Sequence, residues 1–168
     1  SYTFAAENNV TASFSGYVTQ CICQLADNST KVDVEMDTVA ASSFSNVGVQ
    51  AGHKKFVLRF KNCPPSAKLH IAWTGRRIPL TNTSYGPVMR GLVALDGAGQ
   101  NNVAKGVGLS LMRADEQVWE LSQDSPFTTN ADGTATVDLV AAYQSIAPAV
   151  EGGSARVSAF FTINYKQY

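Results

Sequence analysis

Val10–Val18 reads VTASFSGYV, the centre of an alternation that begins at the first residue. The even positions of Ser1–Val18 are Tyr2, Phe4, Ala6, Asn8, Val10, Ala12, Phe14, Gly16 and Val18. A period of two marks a strand with one buried face. At the other end Val157–Tyr168 is a second β-rich stretch that runs to the last residue. A closing strand without an obvious partner and an opening strand to spare predict a subunit that completes itself with a neighbour. Repetition of that step makes a polymer.

The bulk composition sets the frame for this reading. A chain of 168 residues is one compact domain by length, and 45% hydrophobic content supplies its core. Lys+Arg and Asp+Glu each number 13. The balance gives no electrostatic basis for binding nucleic acid or an anionic membrane. No apolar run reaches the length of a bilayer span, so membrane insertion is not expected. No charged segment followed by an apolar one opens the chain, and Ser1 reads as the start of a mature or engineered form.

Further strands are expected along the chain, and helical periodicity is weak. Val10–Leu25 alternates as one strand, and Lys31–Val39 carries Val32, Val34 and Met36 on one parity. Lys55–Phe60, Leu69–Trp73, Gly91–Leu95, Val107–Met112, Val118–Leu121, Ala135–Tyr143 and Arg156–Tyr165 follow. Turn residues separate them, among them Asp27-Asn28-Ser29, Pro64-Pro65-Ser66, Asn130-Ala131-Asp132-Gly133 and Glu151-Gly152-Gly153. Eight or nine short strands with regular turns describe a β-sandwich. Arg76–Arg90, with Pro79, Gly86 and Pro87, reads as an excursion between strands.

Cys21, Cys23 and Cys63 are the only cysteines. An odd number in a β-rich chain suggests one disulfide, plausibly across the sheets, and one thiol left over. Cys21 and Cys23 lie two apart on one strand, a poor geometry for bridging each other. Either can pair with Cys63, closing a loop of roughly 40 residues worth about 4 kcal/mol in the chain-entropy model. Such a bond favours an oxidising compartment; the alternative is three reduced thiols. Cys21 reads either as a reactive or intermolecular thiol or, preferred here, as a small buried residue filling a core slot.

The residues that could carry chemistry do not assemble into a motif. His53 and His70 lack the spaced Cys, Asp or Glu partners of a zinc site. No Gly-x-Ser-x-Gly elbow presents a nucleophile. The glycines of Gly97–Gly108 are not followed by the Gly-Lys-Ser/Thr of a phosphate loop. No catalytic residue, metal ligand or cofactor-binding residue is assigned, and an enzyme is not expected.

Several segments together resemble the chaperone–usher fimbrial subunits of Gram-negative bacteria, of the type 1 and P-pilus kind. Phe14-Ser-Gly16-Tyr-Val18, with Cys23 nine positions after the phenylalanine, is similar to the family's opening. Phe56-Val-Leu58-Arg-Phe60-Lys-Asn-Cys63 resembles the strand before its second cysteine. Ala94-Leu-Asp-Gly-Ala-Gly through Val107-Gly-Leu-Ser-Leu-Met, and Gly133-Thr-Ala-Thr-Val-Asp-Leu through Ala142-Tyr143, resemble its middle. Ala159-Phe-Phe161-Thr-Ile163-Asn-Tyr165 is similar to its closing motif. The likeness covers nearly the whole chain in the right order. The extra cysteine, the two residues beyond the usual ending and the long Arg76–Arg90 stretch depart from the pattern.

The resemblance implies an all-β fold, an incomplete immunoglobulin-like sandwich that lacks its last strand and is completed by donor-strand complementation. It implies a Cys23–Cys63 disulfide and leaves Cys21 over. It divides the chain into a donor extension, 1–18, and a pilin domain, 19–168. Val10, Ala12, Phe14, Gly16 and Val18 would enter a neighbour's groove, and Phe161, Ile163 and Tyr165 of the last strand would line the acceptor side. Gly16 would fit a narrow pocket, where another backbone comes close. The implied partners are a periplasmic pilus chaperone, an outer-membrane usher and neighbouring fimbrial subunits, with passage through the periplasm to an extracellular fimbria. Two other readings stand beside it. One is a minor, terminating or receptor-binding subunit, for which Arg76–Arg90 with Tyr85 would be the surface toward a host receptor. The other is a stand-alone immunoglobulin-like domain whose first strand folds onto its own sheet.

Overall fold

The computed structural model describes residues 8–19, 21–78 and 91–165. Two sheets face each other around one core. The strands are β1 (Asn9–Val18), β2 (Gln24–Leu25), β3 (Lys31–Glu35), β4 (Val39–Ala40), β5 (Gln50–Lys61), β6 (Lys68–Gly75), β7 (Leu92–Val93), β8 (Val107–Arg113), β9 (Ser125–Thr128), β10 (Ala135–Ser145) and β11 (Gly153–Asn164). One sheet has the order β3-β1-β11-β6-β9, with β4 also paired to β1; the other has the order β2-β5-β10-β8-β7. A single 3₁₀ turn, Ala41–Ser43, is the one helical element among the described residues.

The alternation read from the sequence builds the core directly. β10 buries Ala135, Val137, Leu139, Ala141 and Tyr143, and β11 buries Ala155, Val157, Ala159, Phe161 and Ile163, alternate positions in each strand. These two faces meet across the sandwich, with Trp73, Trp119, Phe14 and Phe60 among the largest fully buried side chains. Interdigitation of two inward-facing sets is what holds such sheets together.

Three expectations change at this level, and one strand is added. Val10–Leu25 is not one strand: β1 buries even positions, but Cys23 and Leu25 are the buried ones further on. The parity flips because the chain leaves one sheet after Val18 and joins the other at Gln24. Cys21 therefore lies in the crossing, off any strand, and is exposed rather than in a core slot. Val118–Leu121 makes only an isolated bridge, Met112 to Val118. β9 was hidden by Pro126, which a strand accepts only at a sheet edge or bulge; β9 is that edge, beside β6.

The Cys23–Cys63 disulfide is present. It does not cross between the sheets. Cys23 precedes β2 and Cys63 follows β5, and those two strands are hydrogen-bonded neighbours, Gln24 opposite Lys61. The bond therefore staples one edge of one sheet, closing the 40-residue separation between the two cysteines.

The last strand also differs from the sequence reading. β11 is paired on both sides, antiparallel to β6 and parallel to β1. A bare edge there would expose a row of unpaired N–H and C=O groups. The chain's own opening strand occupies that place.

Candidate functional site

The candidate site is the cleft that β1 fills. On one side β1 runs parallel to β11, from Val10 opposite Gly153 to Val18 opposite Phe161. On the other side it runs antiparallel to β3, from Ser13 opposite Glu35 to Tyr17 opposite Lys31, and to β4, with Val10 opposite Val39. Its ends are tied by backbone hydrogen bonds: the Ala41 N–H donates to the Asn8 carbonyl, and the Val18 N–H donates to the Thr30 carbonyl, each at 2.9 Å. The Thr19 hydroxyl donates to the Phe161 carbonyl at 3.0 Å.

The inward side chains are set by the alternation. Val10, Phe14, Gly16 and Val18 are buried, and Ala12 is half-buried against the core. Phe14 meets the Phe56 ring edge-on at 5.7 Å between centroids and the Phe161 ring at 6.5 Å. Phe161 in turn stacks on Trp119 at 6.2 Å. Each indole nitrogen is satisfied: Trp73 Nε1 donates to the Trp119 carbonyl at 2.8 Å, and Trp119 Nε1 donates to the Gln123 carbonyl at 2.7 Å. The floor of the cleft is thus a buried aromatic row whose indole N–H groups both have acceptors.

Two glycines allow β1 to lie this close. A Cβ at Gly16 would overlap the edge of the Phe161 ring. A Cβ at Gly152 would come within 2.6–2.7 Å of the Asn8–Asn9 backbone, at the other end of β1. Only a residue without a side chain fits such an approach.

One polar contact crosses the core into the cleft. The Tyr143 hydroxyl on β10 donates to the Ala155 carbonyl on β11 at 2.6 Å, with the Ser13 carbonyl of β1 at 3.5 Å. Burial pushes this phenol well above its ordinary value, so it stays neutral and serves as a donor.

The sequence-derived residues fall in three groups. Val10, Ala12, Phe14, Gly16 and Val18 lie opposite Gly153, Ala155, Val157, Ala159 and Phe161, while Ile163, also buried, lies on β11 past the end of the pairing with β1. Tyr165 does not join them. The parity of β11 would turn it inward, but the strand ends at Asn164 and the ring is 55% exposed. Residues 79–90, with Tyr85 and most of the expected receptor-facing excursion, lie outside the described residues; Arg76 and Arg77 before them are exposed. Sequence reasoning missed the roles of Trp119, Phe56 and Tyr143 in building the cleft. Their residue types offered the only signal, since their contacts are made across the sandwich.

Among the described residues no group of three or more His, Cys, Asp or Glu side chains could hold a metal ion. His53 is exposed, beside the Gln50 side chain, and His70 is half-buried on β6. Among the described residues no helix is long and apolar enough to cross a membrane.

Comparison with known proteins agrees with this architecture. The family model described as "Fimbrial protein" matches residues 12–166. A type-1 fimbrial protein subunit of Serratia marcescens is 28% identical, covering 94% of this chain and 87% of that protein. The crystal structure of an antigen and type I fimbria protein of Burkholderia pseudomallei superposes with a TM-score of 0.60 at 25% identity, over 94% of this chain and 98% of that one. The P pilus rod subunit PapA shares the fold, with a TM-score of 0.65 at 14% identity over 86% of this chain and 99% of that one. With the family model running from within β1 through β11, the chain belongs to the fimbrial protein family and is a pilin, a structural subunit of a surface pilus.

Proposed function

We propose that β1 is an exchangeable strand and that this pilin polymerises by giving it to a neighbour. In this reading residues 1–18 are a donor extension and 19–168 the body that receives one. Val10, Ala12, Phe14, Gly16 and Val18 are the donated side chains; Phe161 and Ile163 belong to the receiving wall. The observation that carries the reading is the parallel seating of β1 beside β11 in a sheet whose other strand pairs are antiparallel. Parallel pairing is slightly weaker per residue than antiparallel pairing. A strand of the same sequence from another copy offers the cleft the same inward side chains and can therefore replace β1.

The same physics assigns the partners. Without β1, the cleft presents the Phe161 and Trp119 rings together with the open edge of β11, a template for uncontrolled pairing. A periplasmic chaperone that supplies a strand would cover it in transit, and an outer-membrane usher would be the place of exchange before the subunit reaches the extracellular fimbria. Known chaperone complexes of pilins work by this kind of strand addition. The Cys23–Cys63 bond fits an oxidising periplasm.

A stand-alone domain would also keep β1 in its own sheet, and the two readings part on whether β1 can leave. The test is Gly16→Val expressed with the cognate chaperone and usher. The added side chain overlaps Phe161 wherever the strand is seated in the parallel register seen here, so fibres seen by electron microscopy should fall at least tenfold. Fibres assembled as in the wild type would remove β1 from the joint.

A further inference from the structure

The inward face of β1 suits any strand that fills the cleft; its outward face carries something more selective. Tyr17 and Phe160 stand opposite each other on β1 and β11, on the solvent side of the sheet. Their rings stack at 5.6 Å between centroids with an interplanar angle of 28°. Both are partly exposed, Tyr17 at 38% and Phe160 at 52%. The flanking outward positions are polar, with Lys31 opposite Tyr17 on β3 and Thr74 opposite Phe160 on β6. The pair is thus an isolated aromatic bridge over one seam, the seam between the first strand and the last.

Direction decides whether that bridge can form. In the parallel register Gly16 lies opposite Ala159 and Tyr17 opposite Phe160. A reversed strand that seats the same inward side chains along the same stretch puts Val10 beside Phe161 and Val18 beside Gly153. Thr11 then faces Phe160, and Tyr17 faces Ser154. Sliding the reversed strand to bring Tyr17 back to Phe160 carries Val10 and Ala12 beyond Asn164, where β11 ends. A reversed strand can therefore fill the cleft or keep the stack, but not both. The antiparallel direction is the one the rest of this sheet uses.

We infer that Tyr17 and Phe160 form an outer clasp that holds β1 in the chain's own sheet in the parallel sense and that a reversed incoming strand forgoes. This inference rests on the exchange reading above and adds the residues that set how readily the subunit gives up its own strand. The clasp works against β1 release and leaves the incoming strand's inward fit untouched. Both residues sit at the solvent side, so their replacement alters the seam without opening a cavity.

The experiment uses the full chain and a fluorophore-labelled synthetic peptide of residues 1–18. Uptake rates are compared for the wild type, Tyr17→Ser, Phe160→Ser and the double variant. An aromatic pair of this kind corresponds to a rate increase of about 3- to 10-fold on loss of either ring. The double variant should be no faster than the singles, and Tyr17→Phe should keep the wild-type rate. A peptide that itself carries Tyr17→Ser should be taken up and retained like the unaltered one. Unchanged rates in the chain variants, with the wild type still taking up peptide, would overturn the clasp and leave strand exchange standing. Weaker retention of the altered peptide would show that the incoming strand rebuilds the stack, and would overturn the directional argument. No uptake by any chain would overturn the exchange reading and the clasp's role with it. Additive effects of the two substitutions on the urea midpoint would refute the stack itself, whatever the exchange result.

Discussion

In one sheet β5 runs antiparallel between β10 and β2, and the Cys23–Cys63 bond ties the chain just past the end of β5 to the chain entering β2. In the other, β1 runs parallel to β11, held by packing, ladder hydrogen bonds and the Tyr143 hydroxyl. The difference lies in how each strand is retained. A strand fixed by a covalent staple belongs to the permanent body; a strand fixed only by complementarity can be replaced by any strand that offers the same face. The molecule thus keeps its stable and its exchangeable parts in different sheets of one sandwich.

The largest effect that separates the seams comes from a matched pair of core truncations, Phe161→Ala and Leu58→Ala. Both residues are fully buried. Replacement of a buried Phe or Leu by Ala costs roughly 2–5 kcal/mol. At about 2–4 °C per kcal/mol for a chain of this size, both variants should melt roughly 5–20 °C lower. Only Phe161→Ala should also weaken retention of a peptide of residues 1–18, since its ring forms the wall beside Phe14 and Gly16. Equal loss of peptide retention in the two would mean that the cleft is not a separate structural unit.

Removing the staple is the next largest change. The double variant Cys23→Ala/Cys63→Ala should lose about 2–4 kcal/mol, chiefly through a freer unfolded chain. Urea denaturation measures this loss. The rate at which the folded protein takes up the peptide should stay within a factor of about two, since the staple sits at the β2–β5 edge, away from β1. A strong rise in uptake would show that the two sheets open together and that their division of labour is wrong.

How far the sequence reveals this arrangement depends on the kind of information each feature carries. Alternation told which faces are buried, so Val10, Phe14 and Val18, and Phe161 and Ile163, were legible as inward residues. Alternation is silent on which edge a strand joins, so the place of β1 beside β11 in its own chain was not. The flip of parity between Val18 and Cys23 was on view in the sequence. It went unread as a change of sheet because the buried cysteine at 23 and the exposed one at 21 look alike in a pattern. Pro126 masked β9 because a proline argues against a strand until the strand is known to be an edge. Gly16 was legible as a point of close approach, whereas the ring it approaches came only from tertiary packing. The Cys23–Cys63 pairing came from the family resemblance, since spacing alone left Cys21 as a candidate.

Tyr165 gives the finest test of where the exchangeable seam ends. The alternation of β11 carries inward residues through Ile163 and would make Tyr165 the next one. The strand stops at Asn164, the residue paired with His70 on β6, and the pairing with β1 already ends at Phe161 opposite Val18. β6 continues to Lys68 but does not pair with the chain past Asn164, and Tyr165 is more than half exposed. Substitution of a surface residue away from caps, turns and networks changes stability by less than about 0.5 kcal/mol. Tyr165→Ser should therefore shift the melting temperature by no more than about 2 °C and leave peptide retention unchanged. A fall of 5 °C or more, with peptide lost as in Phe161→Ala, would carry the acceptor wall one inward position further along the chain, to Tyr165.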